Sequence, residues 1–240
     1  MPYYYYGFDW TYLVIVLPCL IISMWASSKV KNTFRKYSSQ VSTRRITGAE
    51  AAKRVLAMHG VHNVRIERVG GNLTDHFDPK SNVIRLSADV YDSCSTAAIG
   101  VACHEAGHAV QYAEGYFPIR VRAVIIPVTN FGSKLAMPLI LVGILLSTFG
   151  YFSDVLINLG IICFSFSLIF QLVTLPVEFN ASRRALNAIE EAGILYEHEL
   201  KGARKTLSAA AMTYLAAAAV SFAQLLRLIL LFGGRGRRRD

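Results

Sequence analysis

The residues best suited to chemistry are His104, Glu105 and His108, in the stretch "CHEAGHAV". On an α-helix a four-residue step turns about 400°, so both imidazoles would lie on one face, one turn apart, where a single zinc ion can take a nitrogen from each. Glu105 is rotated about 100° from His104 and is available as general base toward water activated by that ion. The neighbours Cys103, Ala106, Gly107, Ala109 and Val110 are all uncharged, which argues against a solvated, charged helix face.

Zinc hydrolases hold their ion with three protein ligands and keep a fourth position open. Glu114, six residues after His108, is the local candidate, but on an unbroken helix it lies about 120° off the histidine face. One large class of such enzymes places its third ligand at this spacing and has Gly three residues after the second His, where the chain turns back; that position here holds Gln111. The better candidate is Glu178, in "LPVEFNASRRALNAIEEAGIL", on a predicted helix that starts where an apolar segment ends.

The elements that must position these residues can be read in turn. Ser93 or Ser95 can cap a helix over 96–112 that carries the motif. Residues 47–59 read as another helix, with Thr47 and Glu50 spaced as a capping box. Two short strands are predicted at 63–69 and 82–87, and "NVIRLS" in the second is expected to offer a free edge to an extended substrate. The intervening "NLTDHFDPK" reads as a surface turn, from which His76, flanked by Asp75 and Asp78, could approach a site.

With 53% hydrophobic residues among 240, the chain is too apolar for a soluble enzyme of its size. A bilayer core needs roughly 20 apolar residues of helix. Segments 10–28, 135–153 and 155–177 are expected to span, and the alanine-rich 206–226 either spans as well or packs against protein. No Lys or Arg precedes Lys29, so the first segment reads as a retained anchor and not as a cleaved signal, with the tyrosines at 3–6 at the interface. Lys29, Lys31, Arg35, Lys36, Arg44 and Arg45 follow it closely, which predicts an outside amino terminus and a cytoplasmic face after the first span. Arg120, Arg122 and Lys134 before the next pair, Arg183 and Arg184 after it, and only Asp154 in the joining turn describe a hairpin entered from the cytoplasm. If the fourth segment spans, the tail "GGRGRRRD" ends outside, against the positive-inside expectation.

The net charge of +9 is mostly accounted for by these flanks, which suit anionic lipid head groups and do not form a nucleic-acid-binding domain. The four cysteines show no CxxC pair, and Cys94 and Cys103 are expected as reduced thiols.

The expected fold is a mainly α membrane protein with three to four transmembrane helices and a small cytoplasmic α+β catalytic region. Its expected parts are a membrane anchor at 1–28, a cytoplasmic α+β region at 29–133, a transmembrane hairpin at 134–177, a cytoplasmic helix with the third ligand at 178–205, and an apolar C-terminal helix with a basic tail at 206–240.

Through "LTDHFDP", "IRLSADVYDS", "AAIGVACHEAGHAVQ" and "VEFNASRRAL", most of the chain resembles the neutral zinc metallopeptidase family of small bacterial membrane proteins. It is distantly similar to the heat-shock membrane metalloproteases, in which HExxH, an apolar hairpin and an E-x-x-x-D helix follow in that order. The resemblance implies a zincin-like catalytic domain holding one Zn2+, with His104, His108 and Glu178 as ligands and Glu105 as catalytic base. Where the distant relatives carry Asp four residues after the third ligand, this chain has Ser182, which cannot supply a carboxylate to orient a ligating histidine. The function expected is a metalloendopeptidase with peptide or membrane-protein substrates, serving membrane-protein quality control or processing. The competing reading is a proteolytically inactive metal-binding protein with a chaperone or assembly role.

Overall fold

The computed structural model describes residues 9–233, so the tyrosines at 3–6 and the arginines of the tail lie outside the described residues. A π-helical turn at Tyr12–Val16 leads into α1 (Leu17–Ser38), followed by α2 (Gly48–Met58), β1 (Arg65–Val69), β2 (His76–Asp78), β3 (Val83–Ser87), α3 (Ala88–Tyr91), α4 (Thr96–Ala113), α5 (Phe117–Leu145), α6 (Tyr151–Glu191) and α7 (Glu197–Phe232). The chain divides into two compact units, one of residues 1–25, 121–174 and 214–240, the other of residues 26–120 and 175–213.

The first unit is helical. The π-helical turn continued by α1 (Tyr12–Ser38), α5, α6 and α7 are each long and apolar enough to cross a membrane, with mean hydropathies of 1.9, 1.5, 2.2 and 2.1 over their most apolar stretches. The alanine-rich fourth segment is therefore as apolar as the first, because its helix runs on through "LRLILLF". Trp10, Val14, Phe131, Leu145 and Tyr151 expose more than half of their surfaces, as lipid-facing side chains do.

Near its end α7 brings the Arg227 guanidinium to Asp9, with Nε 2.8 Å from Oδ2, and over the Tyr12 ring at 5.4 Å. α5 and α6 pack closely through small residues, the Ser153 hydroxyl donating to the Gly143 carbonyl at 2.7 Å and the Thr129 hydroxyl to that of Phe166 at 3.3 Å. The reversal between them differs from the sequence expectation. It falls at 146–150, where Gly150 adopts φ +57°, and Asp154 sits in the first turn of α6, where a carboxylate meets the free N–H groups of the helix start. Lys134 consequently lies inside α5 and not at its entrance.

The second unit holds the sheet and α4. Thr47 and Glu50 form the capping box of α2 in both directions. Ser95 caps α4 by accepting from Ala98 N–H at 3.2 Å, and Gly115, at φ +66°, ends it. The core gathers Ala52, Val55, Ile84, Leu86, Val90, Ile99, Ala102, Ala106, Val110, Ile189 and Ala203 around α4, all buried.

The sheet order is β1-β3-β2, with β1 parallel and β2 antiparallel to β3. Two expectations fail here. Residues 76–78, read as part of a surface turn, form a strand pairing His76 with Arg85 and Phe77 with Ile84. "NVIRLS" is central and not an edge, so both its sides are occupied and it has no room for a substrate strand. Its burial explains the position: Val83, Ile84, Leu86 and Ser87 are all buried, the signature of a strand covered on both faces.

Candidate metal centre

α4 is continuous through Gly107, so His104 and His108 stand one turn apart on the same face, with ring centroids 4.7 Å from each other. α6 passes beside them. It runs unbroken from the third apolar segment through "VEFNASRRAL", which carries Glu178 to the histidines. The approach is close because Gly107 faces the Ala181 backbone, where an added Cβ would meet the carbonyl oxygen at 2.8 Å.

Glu178 Oε2 lies 3.2 Å from His104 Nε2 and 3.4 Å from His108 Nε2. Ligand bonds of about 2.1 Å at tetrahedral angles place donor atoms about 3.4 Å apart, and both separations to Glu178 are close to that value. Two imidazoles and one carboxylate are also a donor chemistry that suits zinc. Among the described residues this is the one group of three ligating side chains whose donor atoms converge, all within 4.8 Å of one another. The side chains of His104, His108 and Glu178 are only 12%, 11% and 4% exposed.

Burial alone would raise the Glu178 carboxyl, but the hydrogen bonds and positive charge of His104 and His108 hold it well below the usual carboxylate range. Burial alone would lower His108, and the hydrogen bond and charge of Glu178 outweigh that and raise it.

Glu105 lies on the same helix, turned from the ligands toward the sheet. Its Oε2 accepts from the Phe77 backbone N–H at 3.0 Å, so β2 fixes the orientation of its carboxylate. Beside it Asp75 accepts from Ser87 N–H at 2.7 Å and from the Ser87 hydroxyl. Burial pushes the Asp75 carboxyl up against those bonds, and the Glu105 charge adds to the rise. His76 does not enter the group of converging ligands; it is exposed, and its Nδ1 lies 2.8 Å from the Thr74 carbonyl.

Glu114 forms the C-cap of α4 and pairs with Arg184 at 2.6 Å, apart from the ligands. Ser182 does reach a histidine, its Oγ 3.1 Å from His104 Nδ1. Cys103 is wholly buried in the core, and burial pushes its thiol up, so it is an inert side chain.

Two participants were not identified from sequence. One is Phe77, whose role is played by a backbone N–H that side-chain identity cannot reveal. The other is Gln111, fully buried, with Oε1 3.0 Å from His108 Nδ1. Its signal was present: a polar residue three positions after a ligand shares that ligand's helix face.

Comparison with known proteins agrees with this chemistry. Residues 12–233 match the family described as "Putative neutral zinc metallopeptidase", and the chain belongs to that family. A protein of Bacillus subtilis (strain 168) named "Putative membrane protease YugP" is 47% identical over 221 residues, which cover 92% of this chain and 96% of the relative. No solved structure matches the chain significantly.

Proposed function

We propose that this member of the neutral zinc metallopeptidase family is a membrane-bound zinc metalloendopeptidase, hydrolysing peptide bonds of peptide or membrane-protein substrates at a site facing the cytoplasm. The observation that carries the reading is the convergence of His104, His108 and Glu178 at ligand spacing, with Glu105 the next residue after His104 on the same helix. His104 and His108 through Nε2, and Glu178 through Oε2, would hold one ion. Zinc bound there supplies Lewis-acid activation of a water and of a peptide carbonyl. Glu105 takes the proton released as that water attacks and returns it to the departing amine. The Phe77 N–H on Oε2 keeps its carboxylate aimed during both transfers.

A multi-pass arrangement with four crossings is supported by the four apolar helices and by the Asp9–Arg227 pair, which joins the start of the first helix to the end of the last. The positive charges from Lys29 to Arg45 favour the cytoplasm for the face that carries the site.

The test uses the full chain in detergent, with zinc content and cleavage of an unfolded membrane-protein substrate as readouts. Glu105→Gln should keep zinc and lose cleavage, Glu178→Ala should lose both, and Glu114→Ala should lose neither. Cleavage that persists in Glu105→Gln would overturn the assignment of the base. Zinc retained in Glu178→Ala but lost in Glu114→Ala would overturn the ligand set.

A further inference from the structure

We infer that Gln111 is the positioning residue of the metal centre: its side-chain amide fixes the tautomer of His108 and ties that ligand to the helix bearing Glu178. The argument begins with a group whose role cannot change. The Val177 carbonyl can only accept, and it lies 2.9 Å from Gln111 Nε2. The amide nitrogen must therefore point to Val177, which turns Oε1 to His108 Nδ1 at 3.0 Å. An amide oxygen cannot donate, so Nδ1 carries the hydrogen. In the neutral form of the ring, the form that ligates a metal, the lone pair is thereby placed on Nε2, the nitrogen that carries the second hydrogen and faces Glu178 when the ring is protonated.

The second amide hydrogen confirms the orientation. Nε2 also lies 2.8 Å from Asn180 Oδ1, and that oxygen accepts from Arg184 Nε at 2.8 Å, which marks it as the oxygen of the Asn180 amide. Arg184 is held in turn by Glu114 at 2.6 Å. One buried side chain thus bonds to His108 on α4 and to α6 at positions just before and two residues after Glu178. A slip of either helix would break at least one of these bonds. A buried amide with three partners is costly to leave unsatisfied, so the wrong ring orientation is strongly disfavoured.

This inference rests on the reading of His104, His108 and Glu178 as a zinc site, and the experiment separates the two. Wild-type full-length chain labelled with 15N at histidine and loaded with 113Cd2+ should show metal coupling to His108 Nε2 and a slowly exchanging hydrogen on Nδ1. Metal coupling to Nδ1 of His108 would overturn the proposal without any variant being made. Gln111→Leu should bind Zn2+ about 10–100-fold more weakly than wild type in competition with a chelator. It should also shift the visible spectrum of the Co2+ form and speed exchange of the Nδ1 hydrogen, changes that lost packing alone would not produce. Wild-type Zn2+ affinity and an unchanged Co2+ spectrum in Gln111→Leu would defeat the inference while leaving the metal centre intact. A wild-type chain that binds neither Zn2+ nor Cd2+ would instead defeat the reading on which it rests.

Discussion

Replacing Gly107 by Ala sets two forces against each other. Helix propensity alone predicts a gain of about 1 kcal/mol, since Gly is the poorer residue in a helix interior. The packing predicts the reverse. The new Cβ would stand 2.8 Å from the Ala181 carbonyl oxygen and 3.4 Å from its Cα, and both are backbone atoms that cannot swing aside. A carbon resting on a carbonyl oxygen needs about 3.3–3.6 Å, so α4 and α6 must part locally by about 0.5 Å or more. Such overpacking costs about 1–3 kcal/mol, which cancels or exceeds the propensity gain. The metal centre feels the displacement more sharply than stability does, because functional constellations tolerate only about 0.5 Å. His104 and His108 move with α4 while Glu178 moves with α6, so the 3.2 and 3.4 Å separations open together. Zinc affinity should fall about 10–100-fold, the range seen when support for a ligand is removed, and cleavage should fall with it. Chelator competition on the purified chain, alongside thermal unfolding of the metal-free form, measures both effects. A Gly107→Ala chain that is more stable than wild type and binds zinc equally well would refute the claim that this contact sets the ligand spacing.

Two further outcomes follow from particular contacts. Glu199, 2% exposed, accepts from Thr43 N–H at 2.6 Å, from the Thr43 hydroxyl at 2.7 Å and from Tyr196 N–H at 3.0 Å. Burial would raise this carboxyl, but those bonds hold it below its ordinary 4.5, so its contribution is complete above that value and is lost as pH falls through the depressed one. Glu199→Gln should cost about 1.5–3 kcal/mol near neutral pH and make unfolding less sensitive to acid, as thermal melts across the acid range would show; an unchanged melting temperature at neutral pH would count against the clamp. The Asp9–Arg227 pair predicts that reporters fused to the two termini respond from the same side of the membrane, opposite to one inserted after Ser38. Termini found on opposite sides would rule out the fourth crossing.

What the sequence made legible was local. Thr47 and Glu50 cap a helix through contacts three residues apart, and the four-residue step from His104 to His108 fixes a face once the helix exists. Glu178 was accessible by a different route: the apolar hairpin returns the chain to its starting side, and few carboxylates stand where it returns. The misreadings are those in which pairing decided the outcome. Residues 76–78 form a strand because β3 needs a second neighbour, although Asp75, Asp78 and Pro79 read as turn chemistry. The position of "NVIRLS" at the sheet centre depends on that same unseen strand. The helix that holds Lys134 extends well to either side of it, from Phe117 to Leu145, and the reversal is set at Gly150 and not at Asp154.

Gln111 shows why part of a candidate site stays hidden even when its proposed ligands can be read from the sequence. In the sequence, Gln111 occupies the position where a glycine would let the chain turn back and bring Glu114 to the metal. The same substitution has a positive consequence that appears only once α6 is in place. Because the helix does not break at Gln111, Glu114 is carried away to Arg184, and the buried amide is left facing both His108 and the Val177 carbonyl. With Glu114 carried away, the proposed third ligand comes from elsewhere in the chain, and Gln111 bonds to the segment that bears it. Gly107 permits the two helices to approach, and Gln111 fixes the register in which they meet. On the proposed reading, the spacing of the three donors depends on both.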